Sequence, residues 1–534
     1  MYQHPGVYIE HVASNMLAVE AASTSVTAFI GHLTRGKPIQ DGGAPEYISG
    51  TAQFAQKFGP LTGGSGGIRD MGSSHDPFGH AFSMFSANGG SKAFVVPICD
   101  SQKKGKASTI KFKVKSGAAA ADKTYELTFT ATSTGVWADK VLIKVAMQDT
   151  GEFTLTLGTQ STESQAETDV TKKEFDTVLE TFTGLSLDPG SGRAIVGQVN
   201  GSSAIVTVTS NDGAAPVAAD KTEVQAELEK GEDSGKPKKA DYDLALEKLK
   251  DYRSVSIVVL PGLNWTADKE IYQSAITHAE FMQNRMVLID PKNPANAADQ
   301  LVSGKNVKDA GFPSSPYSVV YYPYLTVSNP FYDAETAANK PATFDIGPSA
   351  MAAGLWGRID NARGVWKAPA GLEATVRGAL GPNVVIGNAI QDNLNEWGVN
   401  CLRSIIGPTV VWGARTLATK TRPQYRYVPV RRTQNMIGES LYNALQAVVF
   451  EPNDHKLWGA LRASIGNFMN GLHRAGAFQG EKASDAYFVN CGLGSTMTQG
   501  DIDAGIVRVV VGFAALKPAE FVVVQIQQIV GQTA

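Results

Sequence analysis

One serine lies in a pattern that hydrolases use for nucleophilic catalysis, because Ser65 is the centre of a G-x-S-x-G motif at residues 63–67. In such enzymes a strand precedes the serine and a helix follows it, and the sharp turn between them exposes the hydroxyl. Here glycine and serine dominate the flanks, which predicts a loop without those elements. We therefore expect no catalytic nucleophile, and a hydrolase that uses Ser65 is the alternative.

Two histidines and a carboxylate lie close together in the next segment, at His75, Asp76 and His80. Imidazole and carboxylate groups are ligands that zinc accepts, but this spacing crosses a Pro-Phe-Gly turn, and no cysteine or further ligand lies nearby. We therefore expect a solvated loop and no bound metal.

The sequence contains no fingerprint for a nucleotide or dinucleotide, because it has no Walker A motif and no G-x-G-x-x-G after a predicted strand. We expect no cofactor and no enzymatic activity. The cysteines lie far apart and lack C-x-x-C spacing, which predicts buried thiols in a reducing compartment rather than a disulfide framework or a zinc site. They are Cys99, Cys401 and Cys491.

The most suggestive polar cluster combines three arginines with a tyrosine in residues 426–432. Arginine beside tyrosine can hold a phosphate or a base, and arginines can equally hold carboxylates at a contact between subunits. The formal net charge is −3 and other basic clusters are lacking, which excludes a general attraction to nucleic acid. We therefore assign Arg426, Arg431 and Arg432 to a subunit contact.

Length and composition predict a globular chain of several domains. A chain of 534 residues is too long for one ordinary core and suggests three or four domains. Apolar runs such as residues 507–511 are too short to span a bilayer. No basic segment precedes an apolar one at the start, so we expect neither a Sec-type signal nor membrane insertion.

Pattern changes divide the chain into an α+β protein of several domains. Residues 23–100 predict the N-terminal part of a core. Residues 101–235 carry short strands about every ten residues, which predicts an inserted β-sandwich that ends in a charged linker. Residues 236–418 alternate apolar strands with helices, which predicts a mainly parallel α/β domain. Residues 419–534 predict an α+β C-terminal domain. The strands expected in the insertion are 109–114, 124–131, 140–147, 152–157, 193–198 and 203–209.

Both ends of the chain read as β-strands, and we define them as an N-terminal arm (residues 1–22) and a C-terminal arm (about 519–534). A strand with a free edge can pair with another chain, or it can pair within its own domain. In the C-terminal domain we expect helices at 436–449 and 455–472. A hairpin of 506–516 with 521–530 would follow, and arms from neighbouring subunits would complete its sheet. The residues that we assign to strand exchange are Val7, Tyr8, Ile9, Phe521, Val523, Gln525 and Ile526.

Several longer motifs, in this order and over nearly the whole chain, resemble the contractile tail sheath family of phages and related injection particles. Tyr324 departs from the pattern, because members often carry Trp after Tyr-Tyr-Pro. The motifs are Pro5–Glu10, Tyr321–Tyr324, Pro348–Gly354, Arg363–Ala370, Trp412–Leu417, Tyr427–Arg432 and Phe450–Asn453.

The resemblance implies a structural protein whose copies stack as hexameric rings around an inner tube. The extended state would be metastable, and contraction would drive the tube through a cell envelope. The central domain would have a subtilisin-like topology without catalysis. Partners would be further copies, the inner tail tube protein, and the baseplate and tail terminator proteins. The particle would be a virion tail or an injection particle assembled in the bacterial host cytoplasm. A static tail, baseplate or capsid protein is the alternative.

The sequence also suggests which side meets the tube. We expect the C-terminal domain to be innermost, with Lys456, Arg462 and Arg474 facing an acidic tube surface, although these residues can equally be solvated charges.

Overall fold

The structure is a computed structural model, and it describes residues 18–33, 35–59, 61, 73–117, 123–160, 167–214, 222–294, 300–335 and 340–525. The Ser65 motif lies outside these residues. So do the arm residues Val7, Tyr8, Ile9 and Ile526, whose assignment stays a prediction.

The described residues form strands and helices along the whole chain. The strands are β1 (Thr27–His32), β2 (Glu46–Ser49), β3 (Lys92–Ile98), β4 (Thr109–Lys115), β5 (Thr124–Ala131), β6 (Leu142–Met147), β7 (Phe153–Gln160), β8 (Phe175–Leu185), β9 (Val206–Ala214), β10 (Glu223–Glu227), β11 (Ile257–Val259), β12 (Met286–Ile289), β13 (Ser318–Tyr322), β14 (Leu325–Ser328), β15 (Thr343–Ile346), β16 (Gly381–Pro382), β17 (Val399–Ser404), β18 (Thr409–Trp412), β19 (Tyr487–Asn490) and β20 (Val510–Phe513).

The helices are α1 (Thr51–Phe58), α2 (Pro77–Ala87), α3 (Ile195–Ser202), α4 (Lys239–Lys248), α5 (Lys269–Met282), α6 (Gly304–Ala310), α7 (Ser349–Arg363), α8 (Asn388–Glu396), α9 (Val428–Leu445), α10 (His455–Arg474), α11 (Ala483–Ala486) and α12 (Gln499–Asp503).

An eight-stranded sheet forms the centre of the molecule, in the order β18-β17-β13-β12-β11-β1-β3-β2. Its inner strands are parallel, and the two edge strands, β2 and β18, are antiparallel to their neighbours. Strands such as β13 are buried along their whole length because helices cover the sheet. The predicted parallel sheet is confirmed, and residues before the insertion complete it, since β1 pairs with β11.

Residues between β4 and β10 form two antiparallel sheets, β4-β5-β9 and β10-β6-β7-β8. They enclose one apolar cluster that includes Leu127, Leu155 and Val208. The strand predicted at 193–198 is wrong, because Ile195 and Val199 bury one face of helix α3 instead. Strand β8 was missed because most of its side chains are exposed and show no regular alternation.

The C-terminal region packs helices α9 and α10 together through Met436, Ile437, Ile465 and Met469. Helix α9 begins earlier than the predicted 436, since Pro429 occupies its first turn, where a missing N–H costs nothing. The predicted hairpin of 506–516 with 521–530 is wrong for the described residues. Strand β20 pairs with β19 instead, and residues 521–525 belong to no strand.

Candidate functional site

Strands β19 and β20 make a two-stranded sheet, and within residues 340–525 no further strand joins either edge. Val489 and Val511 pack against the apolar cluster of α9 and α10. On the other face Phe488 and Val510 are about half exposed, at 51% and 46%. A two-stranded sheet is marginal in water, and its open edges offer unpaired backbone groups to an incoming strand.

The segment that follows β20 returns to the central sheet and is held there by one carboxylate. Two of the three guanidinium nitrogens of Arg415, Nε and Nη2, donate to Glu520, at 2.8 and 2.6 Å. Asn395 Nδ2 and the Tyr427 hydroxyl donate to the same carboxylate, at 2.9 and 3.0 Å. We call these four residues the Glu520 clamp.

The electrostatics of the clamp favour a charged Glu520. Burial alone would raise the pKa of this carboxyl, but the hydrogen bonds from Arg415 and Asn395 outweigh burial and lower the pKa below its usual value. For Tyr427, burial and the neighbouring Glu520 raise the pKa of the hydroxyl, so it stays a donor. The Arg415 side chain is only 8% exposed and that of Glu520 18% exposed, so the pair is largely shielded from water.

Immediately after the clamp, the chain is exposed and apolar. Phe521 is 73% exposed, and Val522, Val523 and Val524 are between 76% and 82% exposed. Such a run of valines has high strand propensity but belongs to no strand in the described chain. The predicted arm residues Phe521 and Val523 are therefore accessible.

The N-terminal segment is held by a second network, which involves the first residues that the structure describes. The Thr24 hydroxyl donates to Asp360 at 2.6 Å, and Arg432 Nη2 donates to the Thr24 carbonyl at 3.0 Å. Arg432 also forms an ion pair with Asp360 at 2.5 Å. Further back, the Ala22 amide donates to Ser440 Oγ on α9 at 2.8 Å.

The assignment of Arg431 and Arg432 to a subunit contact needs correction, because both side chains are used inside the chain. Arg432 is 4% exposed and Arg431 5% exposed. The Arg431 guanidinium lies over the rings of Tyr317 and Tyr425, at 4.7 and 4.6 Å. Arg426 is half-buried, and its role at a subunit contact stays a prediction. Sequence patterns gave no signal for these pairings, because the partners lie far away along the chain.

The basic residues proposed to face the tube lie on helix α10. Lys456, Arg462 and Arg474 are exposed, while Leu461 and Ile465 face the core. Lys456 and Arg474 are eighteen residues apart, which places them on one side of the helix. Arg462 points elsewhere and donates to the Cys491 carbonyl. The contact of these residues with a tube stays a prediction.

The described histidines and carboxylate that could bind a metal lie in and next to helix α2. His80 is buried rather than solvated, which corrects the expectation of a solvated loop, and burial lowers its pKa to about 4. Asp76 caps helix α2 by accepting from the Phe78 and Gly79 amides. No group of three or more potential ligands is placed to hold a metal in the part of the chain that the structure describes. The three cysteines are buried free thiols, as predicted.

One further carboxylate is buried next to a serine. Asp290 directly follows strand β12. Its side chain accepts hydrogen bonds from the Ser349 amide at 2.8 Å and from the Ser349 hydroxyl at 2.6 Å. Burial raises the pKa of Asp290 to about 7. Because Ser349 begins helix α7, this carboxylate satisfies donors at the helix N-terminus. The hydrogen bonds described for Asp290 and Ser349 involve no histidine.

Among the helices of the described residues, none combines the length and apolar character needed to cross a membrane.

Comparison with known proteins identifies the family. The family model of the phage tail sheath protein central domain matches residues 235–417, and that of the phage tail sheath C-terminal domain matches residues 420–529. The tail sheath protein of Burkholderia phage BcepMu is 32% identical over 170 residues, which cover 30% of this chain. That match spans 34% of the curated relative, or about a third of its length.

Solved sheath structures share the fold. The sheath of the anti-feeding prophage in its contracted state is 22% identical with a TM-score of 0.56, over 99% of this chain and 100% of the other. The PVC sheath complex, an extracellular contractile injection system in its contracted state, is 22% identical with a TM-score of 0.55, over 99% and 98%. A sheath tail protein from Listeria innocua is 12% identical with a TM-score of 0.59, over 93% and 96%.

The fold is thus one of mixed α+β domains, with an open two-stranded sheet in its C-terminal part. The two family models together cover more than half of the chain, which therefore belongs to the phage tail sheath family.

Proposed function

We propose that this chain is the repeating subunit of a contractile tail sheath, in a virion tail or a contractile injection particle. Family membership supports this role. The observation that carries it within the molecule is a sheet with open edges combined with an exposed apolar segment of high strand propensity, residues 521–524. Copies would polymerise as hexameric rings stacked around an inner tube.

Strand exchange would join the subunits. The open edges of β19 and β20 would receive arms from neighbouring copies, namely residues around Val7–Ile9 and Phe521–Ile526. Main-chain hydrogen bonds would supply the affinity, and alternate side chains would fit against the sheet. The exposed Phe488 and Val510 would be covered when the sheet is extended. Such joints would keep subunits linked while their bodies rotate between two packings.

The domains would divide the work. The central α/β region would have a subtilisin-like topology, for which its parallel sheet and covering helices are the support. The region of 101–235 would be a β-sandwich on the outer surface, supported by its two sheets around one core. The C-terminal domain would be innermost, with Lys456 and Arg474 towards an acidic tube. Baseplate and tail terminator proteins would bind the ends of the sheath, and assembly would occur in the bacterial cytoplasm.

The energy for contraction would be stored during assembly in a metastable extended state, which requires two packings of different free energy.

Electron microscopy of the purified full-length chain, alone and with its tail tube, tests the proposal. We expect hollow ridged cylinders of two forms, one long and narrow and one short and wide. Cylinders of a single length and width under every condition would favour a static tail component. A chain that stays monomeric up to high concentration, with and without the tube, would contradict the sheath role.

A further inference from the structure

Residues 516–525 follow β20 and are attached to the body of the subunit at one residue. Among residues 516–525, every side-chain hydrogen bond that the structure describes ends at Glu520. This segment borders a cavity of about 820 Å³, which Trp366 and Trp412 of the central domain also line. Residues 516–521 therefore form part of the wall of this cavity, and their described side-chain hydrogen bonds are those of Glu520.

Arg415 also has hydrogen bonds that do not involve Glu520. The Arg415 amide donates to Asn400 Oδ1 at 2.7 Å, and Arg415 Nη1 donates to the Asn395 carbonyl at 2.8 Å. These bonds orient the guanidinium so that its remaining donors point at Glu520. A bidentate, charge-assisted pair of this kind gives both strength and direction. It leaves the backbone after Glu520 at a defined place.

We propose that Glu520 is a positioning residue for strand exchange, which fixes the point where the C-terminal arm leaves its own subunit. Residues up to 520 stay on the central domain, and residues from Phe521 onward are presented to a second copy of this chain. This inference rests on the proposed sheath function. It adds that the arm does not begin at β20, although the sequence continues directly from that strand.

Without the Glu520 clamp, the last attachment of this segment among the described residues would be at Ala515, which forms a backbone bridge with Phe478. Five additional residues add up to about 17 Å of slack. Those residues would then be ordered only when the arm binds, and ordering each backbone residue opposes binding. We therefore expect a critical concentration for polymerisation at least about tenfold higher, which corresponds to about 1.4 kcal/mol.

The test compares Glu520→Gln and Arg415→Lys with Glu373→Gln. Glu520→Gln keeps the shape and removes the charge, and Arg415→Lys removes the planar fork. Glu373 is the matched control, because it pairs with Arg363 beside the same cavity while both side chains are 52% exposed. The readouts are the melting temperature of the monomer, chymotryptic cleavage at Phe521, and sedimentation of polymers against concentration.

We expect faster cleavage at Phe521 and a higher critical concentration in both clamp variants, and neither change for Glu373→Gln; the melting transition shows that each variant is folded. The inference is overturned if both clamp variants are cleaved and polymerise like the wild type. If the wild type fails to polymerise while clamp variants are still cleaved faster, the sheath function fails and the anchoring role of Glu520 stands. If Glu520→Gln does not fold, Arg415→Lys decides by the same measurements.

Discussion

The ion pair between Asp360 and Arg432 provides the sharpest test of how the N-terminal segment is held. Asp360 lies on α7 and Arg432 on α9, and their side chains are only 6% and 3% exposed. Replacing Asp360 by alanine removes the carboxylate and leaves a buried guanidinium whose other described acceptor is the Thr24 carbonyl. The Thr24 hydroxyl loses its acceptor as well.

Breaking a buried ion pair from one side typically destabilises a protein by about 3–5 kcal/mol, because an uncompensated charge remains in the interior. An exposed pair typically contributes no more than about 1 kcal/mol. The ion pair of Arg363 with Glu373 is an exposed control, because Arg363 lies on the same helix as Asp360 and both side chains of the pair are half exposed. We therefore expect Asp360→Ala to be far more damaging than Glu373→Ala.

Hydrogen exchange read by mass spectrometry is the suitable assay, because it reports the loss of protection separately for each region of the chain. The protection of amides in α9 and in residues 22–26 should fall by more than about a hundredfold in Asp360→Ala. Protection in the sheets between β4 and β10 should not change, because they belong to a separate apolar cluster.

A double variant separates the charge from the packing. Replacing the pair with apolar residues, as in Asp360→Leu with Arg432→Met, removes the isolated charge and should restore part of the lost protection. The reasoning is refuted if Asp360→Ala changes protection in α9 no more than Glu373→Ala does. It is also refuted if the double variant is as unprotected as the sum of its single variants, since no coupling would then exist.

Three further predictions concern the arms and the buried carboxylate. Val523→Pro should abolish polymerisation, because proline cannot donate a hydrogen bond to a neighbouring strand. The melting temperature of the subunit should not change, because Val523 is 82% exposed. Val523→Ala is the control, and polymers of normal length in Val523→Pro would contradict strand pairing through this residue. Deleting residues 2–17 removes most of the N-terminal arm but keeps the Thr24 contacts, so the monomer should stay folded and should not form sheaths. Normal polymers in electron micrographs would count against an N-terminal arm. For Asp290 the folded-state pKa is raised from 3.8 to about 7, so its stabilising effect is present below pH 4 and is lost as the pH rises through about 7. The melting temperature of Asp290→Asn, relative to the wild type, should therefore rise from pH 5 to pH 8, and a constant difference would show that Asp290 does not titrate there.

Much of the architecture was predictable because its determinants are local in the sequence. Continuous apolar runs identified β11, β12 and β13, and a stripe at helical spacing identified α10, which the structure extends to Arg474. Strand β10 escaped notice because it lies in a charged stretch, and only its pairing with β6 makes it a strand.

The anchoring contacts could not be predicted, because they depend on side chains that meet only in the folded chain. Arg432 is separated from its partner Asp360 by 72 positions in the sequence, and Glu520 is separated from Arg415 by 105. The same cause explains the missing hairpin. Because Glu520 is bound to Arg415 in the central domain, the residues after β20 lead away from that strand. Strand β20 pairs with β19 instead.

The two anchors lie close together on the molecule, although they hold opposite ends of the chain. Tyr427, which contacts Glu520, immediately precedes α9, and Arg432, which contacts Thr24, lies in its second turn. Five helical residues span about 7.5 Å along an axis. Arg415 and Asp360, the partners on the other side of each network, belong to the central region.

A force on either arm would therefore be transmitted to the subunit near the start of α9, where the central and C-terminal parts of the chain meet. A pull on the arms would act across this junction and would bypass the two sheets between β4 and β10, whose apolar cluster is separate. The sequence assigns the cluster at 426–432 to a contact between subunits, but its buried Arg432 instead holds the N-terminal segment within the chain. In the proposed sheath, this placement would let neighbouring copies stay joined while the outer parts of each subunit change their packing.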